Sequence, residues 1–159
     1  MSAVKKDTLP LTRSAHLVLV SDTPKGRGVF AQQNIDAHTV IETCPVLVLD
    51  PVENTEHIEH TTLYHYTYNW PMKTANGSVI TTQAVVFGLG SMFNHSHDQN
   101  VGWERNVEKQ VVTYKTLRSV SAGEELCISY GSHLTFKDVS APPEEIEEPH
   151  EMLSKIQLD

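Results

Sequence analysis

A chain of 159 residues with 39% hydrophobic and 20% charged side chains has the size and balance of one soluble globular domain with a short tail. No apolar run approaches the roughly 20 residues of a membrane-spanning helix, and the residues up to His16 are too polar for the apolar stretch of a secretory leader. An intracellular protein, nuclear or cytoplasmic, is therefore expected. The net charge of −8 argues against direct nucleic-acid binding, which needs clustered Lys and Arg, and suits attraction of a basic peptide.

Residues 1–15 lack periodicity and read as a lead-in. His16–Ser21 is rich in valine and leucine and runs into a turn over Asp22-Thr23-Pro24-Lys25-Gly26, the pattern of a strand followed by a reversal. Arg27–Ala31 restarts an extended segment. Thr39–Cys44 and Val46–Leu49 form a third run interrupted by Pro45, which predicts an edge strand or a bulge because proline cannot donate to a ladder. Residues 51–80 predict a short helix or loop, a strand, and a hairpin turning at Asn76-Gly77. Gly88–Asn94 reads as a tight helical turn. Strands are expected at about 101–105 and 111–118, with Val112, Tyr114 and Thr116 on one face by period two. After a turn at Ser121–Glu124, the last strand is expected at Leu126–Tyr130. From Lys137 the composition turns acidic and proline-broken, and such a tail buries too little apolar area to offset its ordering entropy. Many short strands separated by turns give a mostly β fold with short helices. Cys44 and Cys127 are the two cysteines; both lie in apolar runs, so buried thiols are expected.

Three separated segments hold chemistry-bearing residues. Lys25-Gly26-Arg27-Gly28 is a glycine turn that lets backbone approach a ligand, but it lacks the third glycine of a dinucleotide fingerprint. Asn94-His95-Ser96-His97 invites a metal reading. The next glutamate, Glu104, comes too late for the His-x-His…Glu spacing of cupin-type sites, and His57, His60 and His65 fall in a polar insert, so no metal is expected. Two cysteines cannot supply a structural zinc site of four cysteines or of three with a histidine. Glu125-Leu126-Cys127-Ile128-Ser129-Tyr130 is an apolar strand ending in tyrosine. Each segment alone has an ordinary structural explanation.

Their order and separation resemble the SET-domain family. The motifs are the Gly26–Gly28 turn, Asn94-His95-Ser96 with Asn100-Val101, and Gly123-Glu124-Glu125-Leu126 leading to Tyr130-Gly131. The resemblance spans about 16–136, with a variable insert at 51–87 and the acidic tail at 137–159, and is nearest to compact fungal members. It implies small β-sheets with a C-terminal pseudoknot, and an S-adenosylmethionine-dependent protein-lysine N-methyltransferase without a metal. By family position Lys25, Arg27, Gly28, Tyr66, Asn94, His95, Tyr130 and Phe136 would hold the cofactor, and Tyr130 would be the catalytic tyrosine. Tyr68, Trp103 and Ile128 would line the substrate lysine's channel.

Two departures from the family stand out. No cysteine-rich zinc segment follows the domain, so Leu134 and Phe136 would close the site instead. Ile128 also stands where Phe or Tyr is frequent, which would leave room for a second or third methyl group unless Trp103 fills that space, so the number of methyl groups stays open. A histone tail is the first expected substrate. The other readings are a non-histone target such as a ribosomal protein, and a silent SET module that only binds partners. The 51–80 insert or the Met152–Ile156 turn could pair two copies of the chain.

Overall fold

A computed structural model describes residues 8–130. Nine strands form two sheets: β1 (Leu17–Thr23), β2 (Gly26–Ala31), β3 (Val40–Val48), β4 (Thr67–Lys73), β5 (Val79–Val86), β6 (Asn94–His95), β7 (Val101–Asn106), β8 (Val111–Thr116) and β9 (Glu125–Ile128). The first sheet has the order β1-β2-β9-β6 and the second β4-β5-β3-β8-β7. Between β3 and β4 lie α1 (Pro51–Glu56) and short 3₁₀ turns at Ile58–His60 and Thr62–Tyr66. Asp50 starts α1 by accepting hydrogen bonds from the Val52 and Glu53 amides, which satisfies amide groups with no partner inside the helix. No helix among the described residues is long and apolar enough to cross a membrane.

The expected alternation on β8 is present: Val112, Tyr114 and Thr116 are fully buried, while Lys115 is exposed. Val112 and Tyr114 join Ile41, Val46, Trp70, Val86 and Val101 of the second sheet, and Val29, Leu126 and Ile128 of the first, in one core. Burying each large aliphatic side chain contributes about 1.5–3 kcal/mol, so the sheets are held together mainly by this shared interior.

Pro45 corrects one expectation. β3 is not an edge strand and runs unbroken through the proline. Residues 40–45 pair with β8 and residues 46–48 with β5. Pro45 sits at the hand-over between partners, where its carbonyl accepts from the Phe87 amide at 3.0 Å and its missing N–H costs no ladder bond.

The last strand is shorter than the sequence suggests, ending at Ile128. It lies between β2 and β6, antiparallel to the first and parallel to the second. Strands far apart in sequence are thereby threaded side by side, as the family resemblance implied. Cys44 and Cys127 are both buried and not joined to each other.

Candidate functional site

The parallel pairing Asn94↔Cys127 and His95↔Ile128 joins the second and third motif segments. Asn100 reinforces it from the side. Its Nδ2 donates to the Glu125 carbonyl at 2.8 Å and its Oδ1 accepts from the Cys127 amide at 2.8 Å, so one buried side chain satisfies β9 as a neighbouring backbone would. The Ser96 amide donates to the Ile128 carbonyl at 2.9 Å.

Past Ile128 a side chain takes over from the ladder. The Tyr130 amide donates to His95 Nδ1 at 2.9 Å. His95 must therefore be unprotonated at Nδ1, the neutral tautomer with hydrogen on Nε2. It is buried, unlike His97, although the two rings stand 5.1 Å apart. The Tyr130 ring lies 5.2 Å from the His95 ring, and its hydroxyl donates to the Phe93 carbonyl. Burial, and then the charges of Cys127, Tyr66 and Glu125, raise the Tyr130 phenol above the ordinary tyrosine range. The phenol thus stays protonated near neutrality, and its oxygen is a hydrogen-bonding group, not a base.

The first motif segment meets the other two at Gly28. Asn94 Nδ2 donates to the Arg27 carbonyl at 2.9 Å and to Glu125 Oε1 at 2.7 Å. A Cβ on Gly28 would collide with Glu125 Oε1 and come within 2.8 Å of Asn94 Nδ2. Gly28 is buried while Arg27 is exposed, so Arg27 is held to this point by its backbone. Lys25 Nζ donates to the His95 carbonyl at 2.8 Å, and the turn before it is fixed by the Lys25 amide donating to Thr23 Oγ1 at 3.1 Å. Gly26 has φ +85°, the left-handed conformation that glycine adopts without strain.

An aromatic cluster from the second sheet reaches the Ser129 backbone beside Tyr130. The Tyr114 hydroxyl donates to the Tyr68 hydroxyl at 3.0 Å, which donates to the Gly90 carbonyl at 2.8 Å. Trp103 meets Tyr68 edge-on at 5.1 Å, and its Nε1 donates to the Ser129 carbonyl at 3.1 Å. The Arg105 guanidinium lies 4.9 Å above the Trp103 ring. Burial drives the Tyr68 and Tyr114 phenols well above the usual range. Ile128 is fully buried, whereas Tyr66 is exposed and accepts through its carbonyl from Ser91 Oγ at 3.2 Å.

Of the expected site residues, Lys25, Arg27, Gly28, Asn94, His95 and Tyr130 fall into one hydrogen-bonded region, with Tyr68 and Trp103 packed together beside the Ser129 backbone. Phe136 and Leu134 lie outside the described residues. The sequence reading missed Tyr114, which showed only as a core position on β8, and the side-chain role of Glu125, which showed only as part of a motif. Gly90 was also missed: a Cβ there would come within 2.6 Å of the Tyr114 hydroxyl. His57, His60 and His65 are exposed.

Comparison with known proteins identifies the family. The SET domain family matches residues 26–131. Over 131 residues, 82% of each chain, the protein is 44% identical to the histone-lysine N-methyltransferase of Schizosaccharomyces pombe that is specific for H3 lysine-37. A Plasmodium falciparum structure assigned as a histone methyltransferase superposes with a TM-score of 0.53 at 21% identity, covering 74% of this chain and 95% of that one. A Cryptosporidium SET8 structure gives 0.54 at 23% identity, covering 72% of this chain and 57% of that one. At such identities the two structures speak for the fold alone.

Proposed function

Because the chain belongs to the SET-domain family, we infer that it is a protein-lysine N-methyltransferase that uses S-adenosylmethionine to modify a histone tail in the nucleus. The observation that carries this reading is the meeting of Gly28, Asn94 and Glu125, beside which the Tyr130 amide is tied to His95. A generic β-domain has no need for three distant segments to converge on one close backbone approach.

The residues present fit the cofactor. Glu125 and Asn94 stand against the Gly28 backbone where a Cβ would otherwise be, so the glycine is what lets Asn94 take its place at the site. Asn94 has both amide hydrogens engaged, which leaves its oxygen as acceptor. Lys25 supplies positive charge next to the His95 carbonyl, suited to a carboxylate. When bound, S-adenosylmethionine supplies an electrophilic methyl group on a sulfonium.

The chain's own residues do the rest. Tyr130 is anchored at its amide by His95 and at its hydroxyl by Phe93. Its protonated phenol offers oxygen lone pairs to polarised C–H groups and helps to orient the attacking amine. A substrate lysine, with an ordinary pKa near ~10.4, loses its proton more readily among apolar walls that disfavour the ammonium form. Tyr68 and Trp103 supply such walls, and their ring faces can accept a methylammonium by cation–π attraction. Ile128 carries no hydroxyl to hold a water against the amine, which suits addition of more than one methyl group.

The relative's specificity makes lysine-37 of H3 the first position to check. The purified protein is incubated with S-adenosylmethionine and histone octamers, and H3 is mapped by mass spectrometry. Methylation of an H3 lysine is expected. Absence of transfer to H3 or any other lysine-rich protein, with cofactor binding established by calorimetry, would leave a silent binding module.

A further inference from the structure

We propose that Glu125 is a positioning residue which fixes the polarity of the Asn94 amide, so that Asn94 meets the cofactor's cationic amino-acid end as a hydrogen-bond acceptor. The inference rests on the cofactor reading of Asn94 given above.

An asparagine side chain can turn over and exchange its oxygen and nitrogen, so its identity alone does not decide what it offers a ligand. Here the choice is forced. Nδ2 faces two oxygens that carry no hydrogen, the Arg27 carbonyl at 2.9 Å and Glu125 Oε1 at 2.7 Å. Reversal would set Oδ1 against both, losing two hydrogen bonds and opposing like partial charges. With both donors used, Oδ1 remains. It is an acceptor, complementary to an ammonium group, which only donates.

Glu125 is itself held. Asn100 fixes its carbonyl and the Cys127 amide two residues on, and a side chain at Gly28 would occupy the contact between Glu125 and Asn94. The two consecutive glutamates are divided in their work. Glu124 accepts from the Ser121 amide and pairs with Arg118, closing the turn before β9, while Glu125 serves Asn94. A preset amide need not be ordered when the ligand arrives, which removes one cost of binding.

The test titrates S-adenosylmethionine calorimetrically into the full chain and its Asn94→Ala, Glu125→Gln and Glu125→Asp variants. Glutamine keeps an acceptor oxygen at full reach without the charge; aspartate keeps the charge but is one methylene too short for the 2.7 Å contact. Glu125→Asp is expected to weaken cofactor binding about tenfold. Glu125→Gln should stay within about threefold of wild type, with the melting temperature and the peptide KM little changed in both. Wild-type binding by Glu125→Asp, or a loss in Glu125→Gln as large as in Glu125→Asp, would overturn the proposal. If Asn94→Ala binds as wild type does, the cofactor reading of Asn94 itself fails; if only Asn94→Ala loses binding, the positioning role alone fails.

Discussion

The two sheets contribute to the site in different ways. The β1-β2-β9-β6 sheet brings polar groups together through one or two hydrogen bonds per residue: Asn100 onto β9, Asn94 onto Arg27 and Glu125, and Tyr130 onto His95. The β4-β5-β3-β8-β7 sheet contributes a wall of Tyr68, Tyr114 and Trp103, set by packing and two shared hydroxyls. Where each contact is a lone polar bond, residue identity is tightly constrained. Where contacts are spread over rings in a common core, several side chains could do similar work. Substitutions should therefore be sharp in the first sheet and graded in the second.

The largest effect is expected at Asn100. Asn100→Ala removes two hydrogen bonds, one buried and one half-buried, and takes this partner from a β9 carbonyl and a β9 amide, at about 1–3 kcal/mol for each. Chemical denaturation should register the loss, and methyl transfer should fall with it. Gly28→Ala should come next: the added methyl displaces Glu125 from Asn94, and calorimetry should show cofactor binding weakened at least about tenfold with the fold retained. A smaller, purely structural effect is expected for Tyr114→Phe. It removes one donor to the Tyr68 hydroxyl, costing about 1 kcal/mol, and cofactor affinity measured by the same titration should not change.

The mildest contrast appears at high pH. Cys44 is pushed up to about 12 by burial and by Glu42, and Tyr68 and Tyr114 are raised by burial. The folded state holds these protons more tightly than the unfolded chain does. Their contribution is complete below about pH 8.5, where an unfolded thiol begins to ionise, and is lost as pH rises toward the folded values. The melting temperature should fall between about pH 9 and about pH 11, less steeply in Cys44→Ala. An equally steep fall in the variant would assign the loss to other groups.

This contrast also explains what the sequence revealed. Gly28, Asn94 and Tyr130 were legible because their segments resemble a family in order and spacing, and the strands on either side were legible from periodicity. Glu125 was visible in its motif, but its partner lies 31 positions away, and no local pattern links them. Tyr114 looked like any buried β8 residue, since a hydroxyl shared across the core leaves no periodic signal. Pro45 misled because local propensity cannot show that a strand changes partners at one residue. The end of β9 came early because the His95 ring, not backbone, receives the Tyr130 amide.

On this reading the three motif segments fold into one methyl-transfer site with Tyr130 at its reacting end. Single-turnover transfer from labelled S-adenosylmethionine to histone H3, compared between wild type and Tyr130→Phe at matched cofactor occupancy, tests it most directly. Loss of the phenol oxygen is predicted to slow transfer by about 10²-fold or more while cofactor affinity is preserved. Equal rates in the two proteins would contradict it.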